Sequence, residues 1–148
     1  MLHRMLTGLA FAGILCAADP WIGVWKMNYA KTQFPGEPPK DVVLTYEAQQ
    51  KGLRFTSSGR LPGGSAYSYQ YVASVDGKDY PVTGHATFQT VSLTWRDGKL
   101  EIRFKREGRE VVRHATSFSA DGKVMTTTSN WQNPGEKPYK TVGYFDKQ

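Results

Sequence analysis

Thr90-Val91-Ser92-Leu93-Thr94-Trp95-Arg96-Asp97-Gly98-Lys99-Leu100-Glu101-Ile102-Arg103-Phe104-Lys105 decides how the chain folds. Val91, Leu93 and Trp95 alternate with Ser92 and Thr94, and Leu100, Ile102 and Phe104 alternate with Glu101, Arg103 and Lys105. Period-two alternation puts one set of side chains on each face of a strand, the pattern of an antiparallel sheet half-buried on one side. Asp97-Gly98 lies between the two runs, and Asp-Gly supplies the positive φ angles of a tight hairpin. The stretch is therefore a β-hairpin.

The same pattern extends in both directions. Leu44 and Tyr46 alternate with Thr45 and Glu47, and Tyr67-Ser68-Tyr69-Gln70-Tyr71 places three tyrosines on one face. Asp76-Gly77 and Asp121-Gly122 repeat the turn signal, Lys51-Gly52 and Glu107-Gly108 resemble it, and Leu61-Pro62-Gly63-Gly64 reads as a longer loop. The pattern predicts nine or ten strands, at about 21–30, 41–48, 53–59, 66–75, 79–84, 88–96, 99–106, 110–119, 123–131 and 138–146. No window carries a helical period, and the Pro-rich segments Phe34–Pro39 and Asn133–Pro138 read as loops. A meander of many short strands must hide its two edges. An all-β, antiparallel up-and-down barrel does so by closure, and a two-layer sandwich is the alternative. Eight to ten strands leave room for a small ligand inside.

At 148 residues the chain suits one domain. With 39% hydrophobic and 22% charged residues, 15 Gly and 8 Pro, it is neither collagen-like, coiled-coil nor a multi-span membrane protein. A single Cys excludes a disulfide framework and a Cys-based zinc site. Residues 1–18 have the form of a signal peptide: a basic start at Arg4, an uncharged and mostly apolar run, and a small-residue end at Ala17-Ala18. Cleavage there leaves residues 19–148 as one domain in a secreted or periplasmic setting, with no transmembrane segment. Losing Arg4 lowers the formal charge from +6 to +5. Bacterial lipoproteins are cut just before a Cys that follows a small residue. Leu15 precedes Cys16, so lipid anchoring through Cys16 is not expected.

Trp21-Ile22-Gly23-Val24-Trp25 opens the first strand after this leader. Gly-x-Trp at that place, ahead of a β-meander, resembles the lipocalins and the wider calycin group. The resemblance implies that Trp25 plugs the closed end of a barrel and that Gly23 lets the entering chain pack tightly. The run from Gly23 to Lys40, the segment Asp76–Gly84 and the ending Tyr144-Phe145-Asp146-Lys147 resemble small secreted bacterial proteins of unassigned function, which implies a lipocalin-like fold and no established activity. Lipocalins carry a helix after the eighth strand, and this chain shows none. Their Thr-Asp-Tyr is only echoed by Asp79-Tyr80. The basic residue that covers their Trp could be Arg103, Arg113 or Lys140.

The chemistry-bearing residues are sparse. Once the leader is removed no Cys remains, Gly-x-Ser-x-Gly is absent, and His85 and His114 are the only imidazoles. Twenty-nine positions apart, they match no metal-ligand spacing, so neither metal nor cofactor is expected. Phosphate-binding glycine loops are missing too. Lys99, Arg103, Lys105, Arg106, Arg109 and Arg113 form a basic hairpin diluted by Glu101, Glu107 and Glu110. It reads as a solvated face rather than a nucleic-acid surface.

The aromatic residues form the richest constellation. Tyr67, Tyr69 and Tyr71, with Trp95 and His114, are the candidate lining of a ligand site closed by Trp25, and Phe104 and Phe118 are candidates for the same interior. The leading reading is a non-enzymatic monomer that binds a small apolar or aromatic molecule. The alternative is a packed β-domain acting through exposed Phe34, Trp131 and Tyr139, and a barrel enzyme using His114 or His85 as base is a third. Intact-mass analysis of the protein recovered from its producing cells is expected to show a chain that begins at Asp19. A mass retaining residues 1–18 would remove the signal-peptide reading.

Overall fold

Alternating strands that leave no free edge need a closed sheet, and the computed structural model has one. It describes residues 18–148; Cys16 and all but the last residue of the expected leader lie outside the described residues. Ten strands follow one another: β1 (Gly23–Met27), β2 (Lys40–Ala48), β3 (Leu53–Arg60), β4 (Ala66–Ala73), β5 (Tyr80–Thr83), β6 (Thr90–Arg96), β7 (Lys99–Arg106), β8 (Arg109–Phe118), β9 (Val124–Trp131) and β10 (Tyr139–Lys147). Each pairs antiparallel with its neighbours in sequence, and β10 pairs with β1 to close the barrel. A sandwich is thereby excluded, and no helix occurs among the described residues.

Turn chemistry sorts the connections. Asp97 and Gly98 have φ of 52° and 71°, and Glu107 and Gly108 have 50° and 75°. Two successive positive φ angles are the requirement of a two-residue hairpin with right-handed strand twist. Asp76 and Asp121 instead close longer turns with their carboxylates, which accept the Lys78 and Lys123 amides at 3.0 Å. Because the strands alternate in direction, both Pro-rich segments fall at one end of the barrel, with the 61–65 and 84–89 loops. The chain enters at the opposite end.

That opposite end is filled. Trp25 is fully buried, and its indole N–H donates to the Trp21 carbonyl at 2.9 Å. Its ring lies 5.8 Å from that of Phe118, above a floor completed by Leu53, Leu93, Leu100 and Met125. Trp25 sits directly opposite Lys147 across the β1–β10 closure, and the Lys147 ammonium lies 5.4 Å from the Trp25 ring, within cation–π range. A Cβ on Gly23, whose φ is +140°, would meet Lys147 Cε at 2.7 Å. Gly23 therefore makes room for the lysine that covers the tryptophan.

Arg103, Arg113 and Lys140 do not play that part. Arg103 bonds Glu101 at 2.7 Å and Arg113 bonds Glu110 at 3.0 Å, while Lys140 is exposed on β10. Lys147 is selected because closure pairs the last strand with the first. Replacing Trp25 with Ala is expected to cost about 3–5 kcal/mol, the range for deleting a buried large ring, as measured by urea unfolding. A loss below about 1 kcal/mol would show that Trp25 does not hold the closed end.

Candidate ligand-binding site

Above this floor the inward-facing side chains stop short of filling the barrel. They leave a cavity of about 500 Å³ that reaches the mouth. Register brings its walls together. On β3 and β4, Phe55 faces Tyr71, Ser57 faces Tyr69 and Gly59 faces Tyr67. On β8 and β9, His114 faces Ser129 and Thr116 faces Thr127. Directly opposed residues share a face of the sheet, so each set of pairs becomes one patch of wall.

One wall is aromatic. The Phe55 and Tyr71 rings stack at 4.8 Å, Phe88 stacks on Phe104 at 4.2 Å, and the imidazole of His85 stacks on Phe88 at 3.7 Å with the rings 5° apart. Tyr69 stands edge-on to His85, Phe88 and Phe104. The other wall carries hydroxyls. Thr116 and Thr127 Oγ1 atoms lie 2.9 Å apart, His114 Nδ1 lies 2.6 Å from Ser129 Oγ, and Trp131 Nε1 donates to Thr141 Oγ1 at 3.1 Å.

Burial sets the electrostatics. It holds the phenols of Tyr46, Tyr69 and Tyr71 protonated far above the ordinary range, and the neighbouring phenols reinforce the effect. It also pushes the His114 imidazole down to about 4 and lowers His85. His85 Nδ1 accepts the amide protons of both Thr87 and Phe88 at 3.0 Å, which places the ring proton on Nε2. The Tyr71 hydroxyl is buried and has no hydrogen-bond partner among the described residues.

No family model matches the chain, and no curated protein sequence is similar to it. Its structure is similar to the crystal structure of zebrafish ileal bile acid-binding protein complexed with cholic acid, with a TM-score of 0.55 and 15% identity, over 88% of this chain and 100% of that one. The barrel is calycin-like.

Tyr67, Tyr69, Tyr71 and His114 all border the cavity of this calycin-like barrel. Trp25 lies beneath it as part of the closed end. Trp95 does not line it, contrary to the strand pattern. Its side chain is 44% exposed and packs outside the closed end, 5.3 Å from Trp21 and 6.5 Å from Phe118. It points inward by parity, but it occupies the far tip of β6, where Trp25 and Phe118 already fill the taper.

Phe34 and Trp131, expected on the surface in the alternative reading, border the cavity at its mouth, and Tyr139 stacks on Trp131 at 5.7 Å. His85, placed by sequence in a loop, joins the wall because that loop folds over the mouth. Among the described residues no three His, Cys, Asp or Glu side chains converge as a metal-ligand set. Among the described residues three cations of the basic hairpin are ion-paired, Arg103 with Glu101, Arg113 with Glu110, and Lys105 with Asp79 at 2.8 Å.

His114 makes stability depend on pH. Its folded-state proton affinity is depressed, so the unfolded chain binds a proton first as pH falls from about 6.5 towards 4. The stability that a neutral His114 provides is complete above pH 6.5 and lost across that window. His114→Gln is expected to lose about 2 kcal/mol less than wild type between pH 7.5 and 4.5 in denaturant melts. Parallel profiles would show that His114 is not the group responsible.

Proposed function

We propose that this protein binds a small apolar or aromatic molecule inside the barrel and holds it without chemical change. In this reading it acts in a secreted or periplasmic setting as a monomer, after loss of residues 1–18, and it is lipocalin-like in function as well as fold. The observation that carries the reading is the open cavity of about 500 Å³ with ring-lined and hydroxyl-lined walls. Ligand pockets commonly enclose about 300–1,000 Å³ and combine apolar walls with a few placed polar groups. A barrel serving only as a scaffold would fill this space with its own side chains.

Two facts support the proposal further. The crystal structure of similar fold holds cholic acid. In addition, neither imidazole suits proton transfer near neutral pH: His114 titrates at about 4 beside Ser129, and His85 Nδ1 is engaged by two backbone amides. The surface-module alternative has less support, since two of its three aromatics, Phe34 and Trp131, border the cavity at its mouth.

Nile red, a neutral fluorophore that brightens in apolar surroundings, is the test. Saturable binding of one dye per chain is expected. Tyr69→Ala should weaken it about tenfold while the far-ultraviolet circular dichroism stays that of wild type. A folded protein without saturable binding, or a folded Tyr69→Ala variant of unchanged affinity, would overturn the assignment.

A further inference from the structure

We infer that the cavity selects an uncharged ligand, a flat apolar ring system carrying one hydroxyl or carbonyl group, and rejects carboxylates. The inference rests on the reading of the cavity as a ligand site and specifies what that site takes.

The first ground is the lining. None of the described residues around the cavity is Asp, Glu, Lys or Arg. A carboxylate drawn into such a space gives up its hydration without gaining a cation, and burial of an unpaired charge is strongly unfavourable. At the mouth, Lys31, Lys40, Arg60 and Lys140 stand beside lining residues, but none is itself part of the lining, and two of the four are already ion-paired. Lys40, next to the lining residue Pro39, bonds Glu37 at 3.1 Å. Arg60, next to the lining residue Leu61, lies 3.5 Å from Asp41.

The second ground is that both imidazoles are held neutral by geometry as well as burial. A proton on His85 Nδ1 would break two backbone hydrogen bonds at once, so the ring keeps its proton on Nε2 and remains an uncharged donor. His114 is enclosed, and its Nδ1 faces the Ser129 hydroxyl rather than a carboxylate that would favour the imidazolium. The remaining polar side-chain groups of the wall are hydroxyls of Tyr, Ser and Thr and the indole N–H of Trp131, which Thr141 already accepts. Such a set can pair with a hydroxyl or carbonyl and has no full charge to offer an anion.

The third ground is the unpaired hydroxyl of Tyr71. Its ring sits between Phe55 at 4.8 Å and Phe104 at 5.9 Å, and its oxygen is buried without a partner among the described residues. Buried hydroxyls are nearly always paired, and leaving one unpaired is costly. Tyr71 borders the cavity, and a small rotation of its ring would bring this oxygen to a ligand oxygen and remove that cost. The stacked planes of His85, Phe88 and Phe104 complete a wall suited to a flat ring.

Displacement of Nile red from the whole folded protein at pH 7.4 tests this with three probes of one shape: 2-naphthol, 2-naphthoate and naphthalene. The expected result is that 2-naphthol displaces the dye at a concentration at least about tenfold lower than 2-naphthoate. Tyr71→Phe, which keeps the ring, should weaken 2-naphthol about three- to tenfold, the range for one neutral hydrogen bond, and leave naphthalene unchanged. Equal or better displacement by 2-naphthoate, an unchanged 2-naphthol affinity in Tyr71→Phe, or no displacement by any probe while Nile red still binds would each overturn the inference. If Nile red itself fails to bind, the cavity is not a ligand site and the broader proposal falls with it.

Discussion

The pairing of β1 with β10 is the constraint on which the remainder of this structure depends. A ten-stranded meander leaves two rows of unpaired backbone amides and carbonyls, and joining its first and last strands removes both at once. The same junction sets Trp25 opposite Lys147 and thereby builds the closed end. Backbone satisfaction and core formation are thus one event. The plug cannot form without the closure, and the closure is stabilised by the plug.

The barrel is filled unequally along its length, and this difference separates its structural half from its functional half. At the closed end, Trp25, Phe118, Leu53, Leu93, Leu100 and Met125 meet across the axis and leave no room. Towards the mouth the inward positions include Ser57, Thr116, Thr127, Ser129 and Gly143, too small to fill the barrel, and a cavity remains. Small polar side chains at inward positions of β3, β8, β9 and β10 keep the space open. Their hydrogen bonds to one another, as between Thr116 and Thr127, let them face it at little cost.

Much of this was legible in the chain. Alternation predicted nine or ten strands at positions close to the ten observed, and the 99–106 strand has the same bounds in both. Asp97-Gly98 and Glu107-Gly108 marked hairpins that do have paired positive φ angles. The tyrosine row of β4 faces the cavity as its period requires. Trp95 shows where such reasoning stops. Parity assigns a side chain to a face but says nothing of its height along the barrel axis, and at the closed tip the inner face has no space left. The lysine over Trp25 was missed for a related reason: it lies at the far end of the chain and becomes a neighbour only through closure.

By itself, then, the amino-acid sequence determined the elements, their order, the turns between them and which residues of each strand share a face. These are local matters, governed by the two-residue repeat of the strand and the φ preferences of Gly and Asp. Only the tertiary structure decided that the sheet closes, that both Pro-rich loops rim one mouth, that His85 and Phe34 join the wall, and that Tyr71 keeps a buried hydroxyl without a partner among the described residues. Each of these depends on the distance between residues remote in sequence. That distance follows from how ten strands stagger around a common axis, which no single stretch of the chain encodes.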